Sequence, residues 1–489
     1  MADRPKKLVL TVIDSLKPEM LDRAIAEGRA PALKAIVGRG TYIRECVSSY
    51  PSVTPVASAS ITTGLGPDEH DIPSMNWYHR GEGRYIEYGS SFSATRAFGI
   101  FKSLTDTVYN MNLAHLSRHV KTVFEHLDDA GVRTACTTYL IYRGRHRHDP
   151  EREGAYARLA RAAQFRHAVW GPKELFYADI FASQPTDCRS TLGLPGQRDQ
   201  HSGCVSAHMV EQDLFDFLLL SLPDNDTYSH KKGPYGQVTS IEVADRAIQH
   251  VMEAGGGAQR FLDEHAMIVM SDHSQTSVEQ QLDLVEALSD WRVLGPDDPD
   301  PDEASIAVSP SARSGAVYVL GDGDRGAEAA RVAERLAQSE AVDLVSRLVD
   351  GRAVVQTPRG ELTFSPGSQL TDLRGLSWDL SGDNAALGLS VEDGVVSSDD
   401  YPDPLARLWS ALTCAHSGDV LVSATPGWEF LDWGGQAHVG GGSHGSLHRG
   451  DSLGVLLLCG TGPDPGGPPR QWALRDVTPL ILEHFSVPS

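Results

Sequence analysis

The sequence predicts an α/β protein with a doubly wound, mostly parallel central sheet and a smaller inserted α+β domain. Three observations predict it. Short apolar runs at 8–13, 214–222, 266–270 and 453–458 have the composition of strands buried on both faces. Amphipathic helical patterns alternate with them. Acidic residues also follow several of the runs closely, at the strand ends where open α/β sheets bind their ligands.

Size and composition set the frame. A chain of 489 residues is roughly three domain-sized units or one large unit with insertions. Its formal net charge of −22 argues against a nucleic-acid polymer or an anionic membrane as a partner. A small anionic substrate stays compatible, because bound metal ions reverse the charge of a site. The six cysteines, Cys46, Cys136, Cys188, Cys204, Cys414 and Cys459, are scattered and too few for a disulfide framework, so they are expected to be reduced. The apolar run at 8–13 is too short to span a membrane and no small-residue cleavage site follows it, which predicts a cytoplasmic protein.

In chain order, strand 8–13 ends in Asp14, and helices follow at 18–26 and 31–37. An extended run at 43–47 leads into Tyr50-Pro51-Ser52-Val53-Thr54-Pro55, a turn in which Thr54 takes the N-cap and Pro55 the first helical position. A hydroxyl there faces unpaired N–H groups and the positive end of the helix dipole, a site suited to phosphate. A polar loop at 64–80 carries His70, Asn76, Trp77 and Tyr78. Then come a helix at 120–129, a strand at 134–141, and a basic stretch at 143–166 that reads as a solvated face. Strand 214–222 runs into a segment holding Asp226, His230, Lys231 and Lys232, the lysines reading as a solvated pair. A helix at 239–253 and a strand at 266–270 lead to Asp272 and His273. The acidic, Pro-rich run at 295–303 is a linker or exposed loop, so the core is assigned to 1–295 and 416–489 and an inserted α+β cap or accessory domain to 300–415. His444 lies in the glycine-rich loop 440–445, and a helix at 476–485 closes the chain.

Taken singly, these acids and imidazoles have ordinary structural readings. Together they converge on one sheet edge, and mixed oxygen and imidazole ligands suit zinc, with manganese or iron as alternatives.

The pattern resembles the type I phosphodiesterase/nucleotide pyrophosphatase family of the alkaline phosphatase superfamily. Tyr50, Pro51, Thr54, Thr63 and Gly64 match its nucleophile segment, and Pro67 and His70 the motif that follows. Asp226 with His230 and Gly233-Pro234, Asp272-His273, and Gly442-Ser443-His444-Gly445 match its metal segments. The likeness spans 8–290 and 415–487. It implies two divalent metal ions, one on Asp14, Thr54, Asp272 and His273, the other on Asp226, His230 and His444. It further implies attack by Thr54 on a small phosphate ester through a phosphothreonine intermediate. Ala57 stands where nucleotide-handling members carry an Asn that hydrogen-bonds a phosphoryl oxygen, with Ser58 beside it as a substitute. That departure keeps a phosphomonoesterase or a phosphonate C–P hydrolase in play, with a non-catalytic metal-binding protein as a remoter alternative. A sulfatase is excluded, since no Cys/Ser-x-Pro-x-Arg segment surrounds Thr54.

Overall fold

The structure is a computed structural model that describes residues 5–150, 167–178, 180–189, 194–463 and 471–488. Its main sheet has eight strands. The strand Lys7–Ile13 lies inside it, parallel to Phe217–Leu222 on one side and His265–Met270 on the other. Leu8, Leu10 and Val12 pack into one core with Ala57, Ile61 and Val477, while Val9 and Ile13 pack into another with Leu21, Ile36 and Ile241. Helices therefore cover both faces, which is why the run 8–13 carries no polar alternation.

The sheet is mixed. Leu453–Cys459 runs antiparallel to both His265–Met270 and Thr41–Val47. A strand buried on both faces reads the same in either direction, so composition does not reveal this. The strand expected at 134–141 stops at Cys136. Thr138, Tyr139 and Leu140 leave the sheet to line a cavity at its edge.

A second sheet has nine strands. Eight come from 300–415, and the ninth, Val420–Ala424, pairs between Ser314–Val319 and Val342–Val349. The sheet thus runs past the expected boundary at 415 and takes a central strand from the returning chain. One face packs on the helix Arg325–Ala337 through Val332 and Leu336. The other shares a core with Tyr50, Val53, Val56 and Ala59, so it rests directly on the turn before Thr54.

Of the basic stretch, Arg143 is an internal brace that donates to the carbonyls of Leu116, Ser117 and Val120. Arg145 is a surface partner of Glu125 and Asp129. Residues 151–166 lie outside the described residues. No helix among the described residues is long and apolar enough to cross a membrane.

Two cysteines depart from expectation. Cys188 and Cys204 form a disulfide, whereas Cys46, Cys136, Cys414 and Cys459 are free and buried. Close spacing along the chain does not foretell the pair, because its members lie 16 residues apart with a turn between them. Cys204 sits in the helix Arg198–Glu211, which crosses the helix Val238–Ala254 so tightly at Gly203 that an added Cβ would lie 2.8 Å from that of Ala247.

Two measurements check this packing. Unfolded, unreduced protein should expose four reactive thiols and reduced protein six, by thiol titration. Gly203→Leu should lower stability by about 1–3 kcal/mol, read as a shift of the denaturant midpoint.

Candidate active site

Asp14 directly follows the strand Lys7–Ile13, Asp272 lies just beyond His265–Met270, and Asp226 sits in the first turn of the helix Asp224–Lys232 after Phe217–Leu222. Three neighbouring parallel strands thus deliver three carboxylates to one place. Thr54 arrives from the other side. It is the first residue of the helix Thr54–Thr63 rather than its cap: Val53 holds the cap position, and no side chain caps the helix. The Thr54 hydroxyl lies 3.2 Å from His273 Nε2. The helix ends at Gly64, whose φ of 75° and contact with Pro479 suit only glycine.

Each imidazole is held by its other nitrogen. The Nδ1–H groups of His230 and His444 donate to the carbonyls of Gly442 and Ser52, both at 2.8 Å, and that of His273 to the Ser274 carbonyl at 3.2 Å. This leaves every Nε2 facing the carboxylates, the arrangement that metal-binding histidines need. His273 Nε2 is 3.4 Å from Asp272 and 3.7 Å from Asp14. His230 and His444 are 3.3 and 3.7 Å from Asp226.

The electrostatics follow from crowding. Burial, with Asp272 and Asp226 close by, holds the Asp14 carboxyl well above the ordinary range. Burial likewise pushes Asp272 up to about 6. For Asp226, burial acts in the same direction, but His230, His444 and His273 outweigh it and hold the group well below the usual value. Burial pushes His273 down to about 4 and His444 down to about 3, so both are neutral near pH 7. His230 is raised, because its pairing with Asp226 overcomes its own burial.

All seven expected residues therefore meet at one site. Ligand atoms of Asp14, Asp272 and His273 lie within 4.8 Å of one another, as do those of Asp226, His273 and His444. The second trio differs from the expected set in having His273 where His230 was assigned; His230 stands beside it on Asp226. A cation fits the first trio on the chemistry of its own atoms, because Asp14 Oδ1 is buried without a hydrogen-bond partner.

The structure adds residues that the sequence did not single out. The Ser15 hydroxyl donates to Asp226 at 2.7 Å and Gln275 Nε2 at 2.5 Å. Their only signal in the sequence is adjacency to Asp14 and His273. His438 donates Nδ1–H to Glu429 at 2.8 Å and lies against the His230 ring, with centroids 4.0 Å apart and a tilt of 31°. Two substrate expectations change. Ala57 points into the core among the sheet residues, so its position offers nothing to a phosphoryl group, whereas Ser58 lines the cavity. Trp77 is fully buried and Tyr78 packs against Tyr85 and Tyr318, which leaves neither for stacking on a substrate. The cavity above the site measures about 730 Å³ and is walled in part by Tyr88, Phe92, Tyr139 and Leu140.

No curated protein sequence matches the chain significantly. Among solved structures, murine ectonucleotide pyrophosphatase/phosphodiesterase 5, as an inactive variant in complex with AMP, is similar with a TM-score of 0.57 at 11% identity, over 99% of this chain and 96% of that one. Phosphonoacetate hydrolase from Sinorhizobium meliloti in complex with phosphonoacetate is similar with a TM-score of 0.56 at 15% identity, over the same 99% and 96%. At such identities these likenesses establish the fold. The sequence model of one family matches residues 8–447, and on that match the chain belongs to the type I phosphodiesterase/nucleotide pyrophosphatase family of phosphoric-ester hydrolases.

Proposed function

We propose that this protein is a two-metal phosphodiesterase or nucleotide pyrophosphatase that works through a phosphothreonine intermediate. The observation that carries the reading is the Thr54 hydroxyl, at a helix N-terminus and 3.2 Å from His273, beside two contiguous carboxylate–imidazole trios. Asp14, Thr54, Asp272 and His273 would hold one divalent ion, and Asp226, His230 and His444 the other. Zinc is the first choice and manganese or iron the alternatives, given the mixed donor set. When bound, the ions supply the positive charge that acidifies a hydroxyl and stabilises a phosphoryl group.

The chain's own residues do the rest. Thr54 Oγ1 attacks phosphorus in line, the ester oxygen departs, and Thr54 carries the phosphoryl group until water releases it. The N-terminus of the helix Thr54–Thr63 directs its positive end at the phosphoryl oxygens. Ser15 and Gln275 hold the Asp226 carboxylate in place by donating to it. A phosphomonoesterase or a phosphonate C–P hydrolase is the second reading, favoured by the fold shared with phosphonoacetate hydrolase. The 300–415 segment is read as a cap over the sheet edge. The Cys188–Cys204 bond weighs against the reducing, cytoplasmic compartment expected from the sequence.

Three experiments test the proposal. Initial rates on a model phosphodiester, a phosphomonoester and a nucleotide p-nitrophenyl ester, with zinc supplied, should favour the diesters. Thr54→Ala should cut turnover by on the order of a thousandfold or more with metal content retained; wild-type turnover in the variant would remove Thr54 as nucleophile. Zinc occupancy should rise as the pH climbs through about 6, as measured by metal analysis after equilibrium dialysis. The sign follows from competition: Asp14, Asp272 and His230, all raised, take up protons that a metal must displace, at about tenfold in affinity per proton and pH unit. His273 and His444 are already neutral in that range and do not compete.

A further inference from the structure

The helix Asp224–Lys232 shows the cavity two adjacent faces. Asp226 and His230 stand one turn apart on the first, and Thr227 and Lys231 one turn apart on the second. The second face gathers positive charge. Arg198, from the start of the neighbouring helix, donates Nη2 to the Thr227 hydroxyl at 2.7 Å and Nε to Asp224 at 2.8 Å. Nη2 also reaches the Pro223 carbonyl at 3.2 Å. These bonds fix the guanidinium and leave Nη1 without a partner among the described residues. The Arg198 side chain is 26% exposed, lines the cavity, and lies close enough to Asp14 for its charge to oppose the rise in that carboxyl's pKa. Lys231 lines the same cavity and has neither an ion pair nor a hydrogen bond among the described residues. Arg198 and Lys231 are the only Arg or Lys among the described residues that wall the cavity, and both stand on its Asp226 side.

Arg198 is held by structural partners through Nε and Nη2 with Nη1 left over, and the Lys231 ammonium is free among the described residues, both beside the phosphoryl site. We propose that Arg198 and Lys231 form an anion subsite, and that the substrate carries a second negative charge held there. The inference rests on the two-metal reading for the position of the reacting phosphorus. The charge has two chemical sources: a further oxygen on the phosphoryl group itself, as in a dianionic monoester, or an acidic group on the esterifying alcohol. A monoanionic diester with uncharged substituents engages the subsite least. Arg198, preorganised and partly buried, should contribute most, and Lys231, held by nothing else, less.

Binding separates this inference from the hydrolytic reading. With zinc-loaded Thr54→Ala protein, calorimetry would compare bis(p-nitrophenyl) phosphate, p-nitrophenyl phosphate, and p-carboxyphenyl p-nitrophenyl phosphate. At least one of the two doubly charged probes should bind about tenfold tighter than the first, and which one does so identifies the source of the charge. Adding Arg198→Met should erase most of that preference, Arg198→Lys should restore part of it, and Lys231→Met should reduce it about threefold. Equal binding of all three probes would overturn the proposal, as would a preference that survives both substitutions to Met. If Arg198→Met loses its fold or its zinc, the exposed Lys231→Met decides alone. A charge preference in a protein that hydrolyses none of the esters would refute the hydrolytic reading and leave the subsite standing.

Discussion

Everything at this site depends on three carboxylates brought together by three adjacent strands. Asp14, Asp226 and Asp272 converge because Lys7–Ile13, Phe217–Leu222 and His265–Met270 run parallel and end at one edge. Like charges in a buried place repel, and the protein answers in two ways. Asp226 stays ionised against His230 and takes hydrogen bonds from Ser15 and Gln275. Asp14 and Asp272 bind protons more readily than an ordinary carboxylate, because burial and repulsion from neighbouring carboxylates raise both. The unpaired Asp14 oxygen marks where that answer falls short and where a cation would complete it.

The second sheet matters to this chemistry through one buried ion pair. Arg313, in the turn between Ile306–Ser311 and Ser314–Val319, is fully buried against Asp451 at 2.6 Å. Asp451 also accepts from the Ser446 amide, and the Arg313 amide donates to the His444 carbonyl. The loop that carries His444 is thus clamped from the second sheet, while Ser52 fastens the same loop to the turn before Thr54 by accepting from the Gly445 amide. Removing one partner of such a buried pair costs about 3–5 kcal/mol, so the clamp is rigid. The segment with no legible motif of its own therefore helps to fix a predicted metal ligand.

Much of the fold was legible because burial on both faces writes itself into composition: the runs at 8–13, 266–270 and 453–458 all became strands of the main sheet. The candidate residues were legible because ligand chemistry tolerates few side-chain types. What stayed hidden depends on contacts distant in sequence. Strand direction at Leu453–Cys459 and the central place of Val420–Ala424 are properties of pairing, not of either strand alone. Thr54 read as a cap because its partner, His273, is 219 residues away. Cys188 and Cys204 meet only because the chain folds back along the helix Arg198–Glu211.

The acidity of the chain and the anionic substrate class are reconciled at short range. The net charge of −22 is a property of the whole chain, and salt screens its exposed charges beyond about 8–10 Å. A bound phosphoryl group responds mainly to the charges within that distance. On one face of the helix Asp224–Lys232 these are carboxylates that a metal pair would neutralise, and on the other they are Arg198 and Lys231. Arg198 keeps its position because Asp224 and Thr227 hold it, and both belong to the same turn as Asp226. Any shift of that turn moves Asp226 and Arg198 together, so the spacing between the two parts of the site is built into a single helical turn.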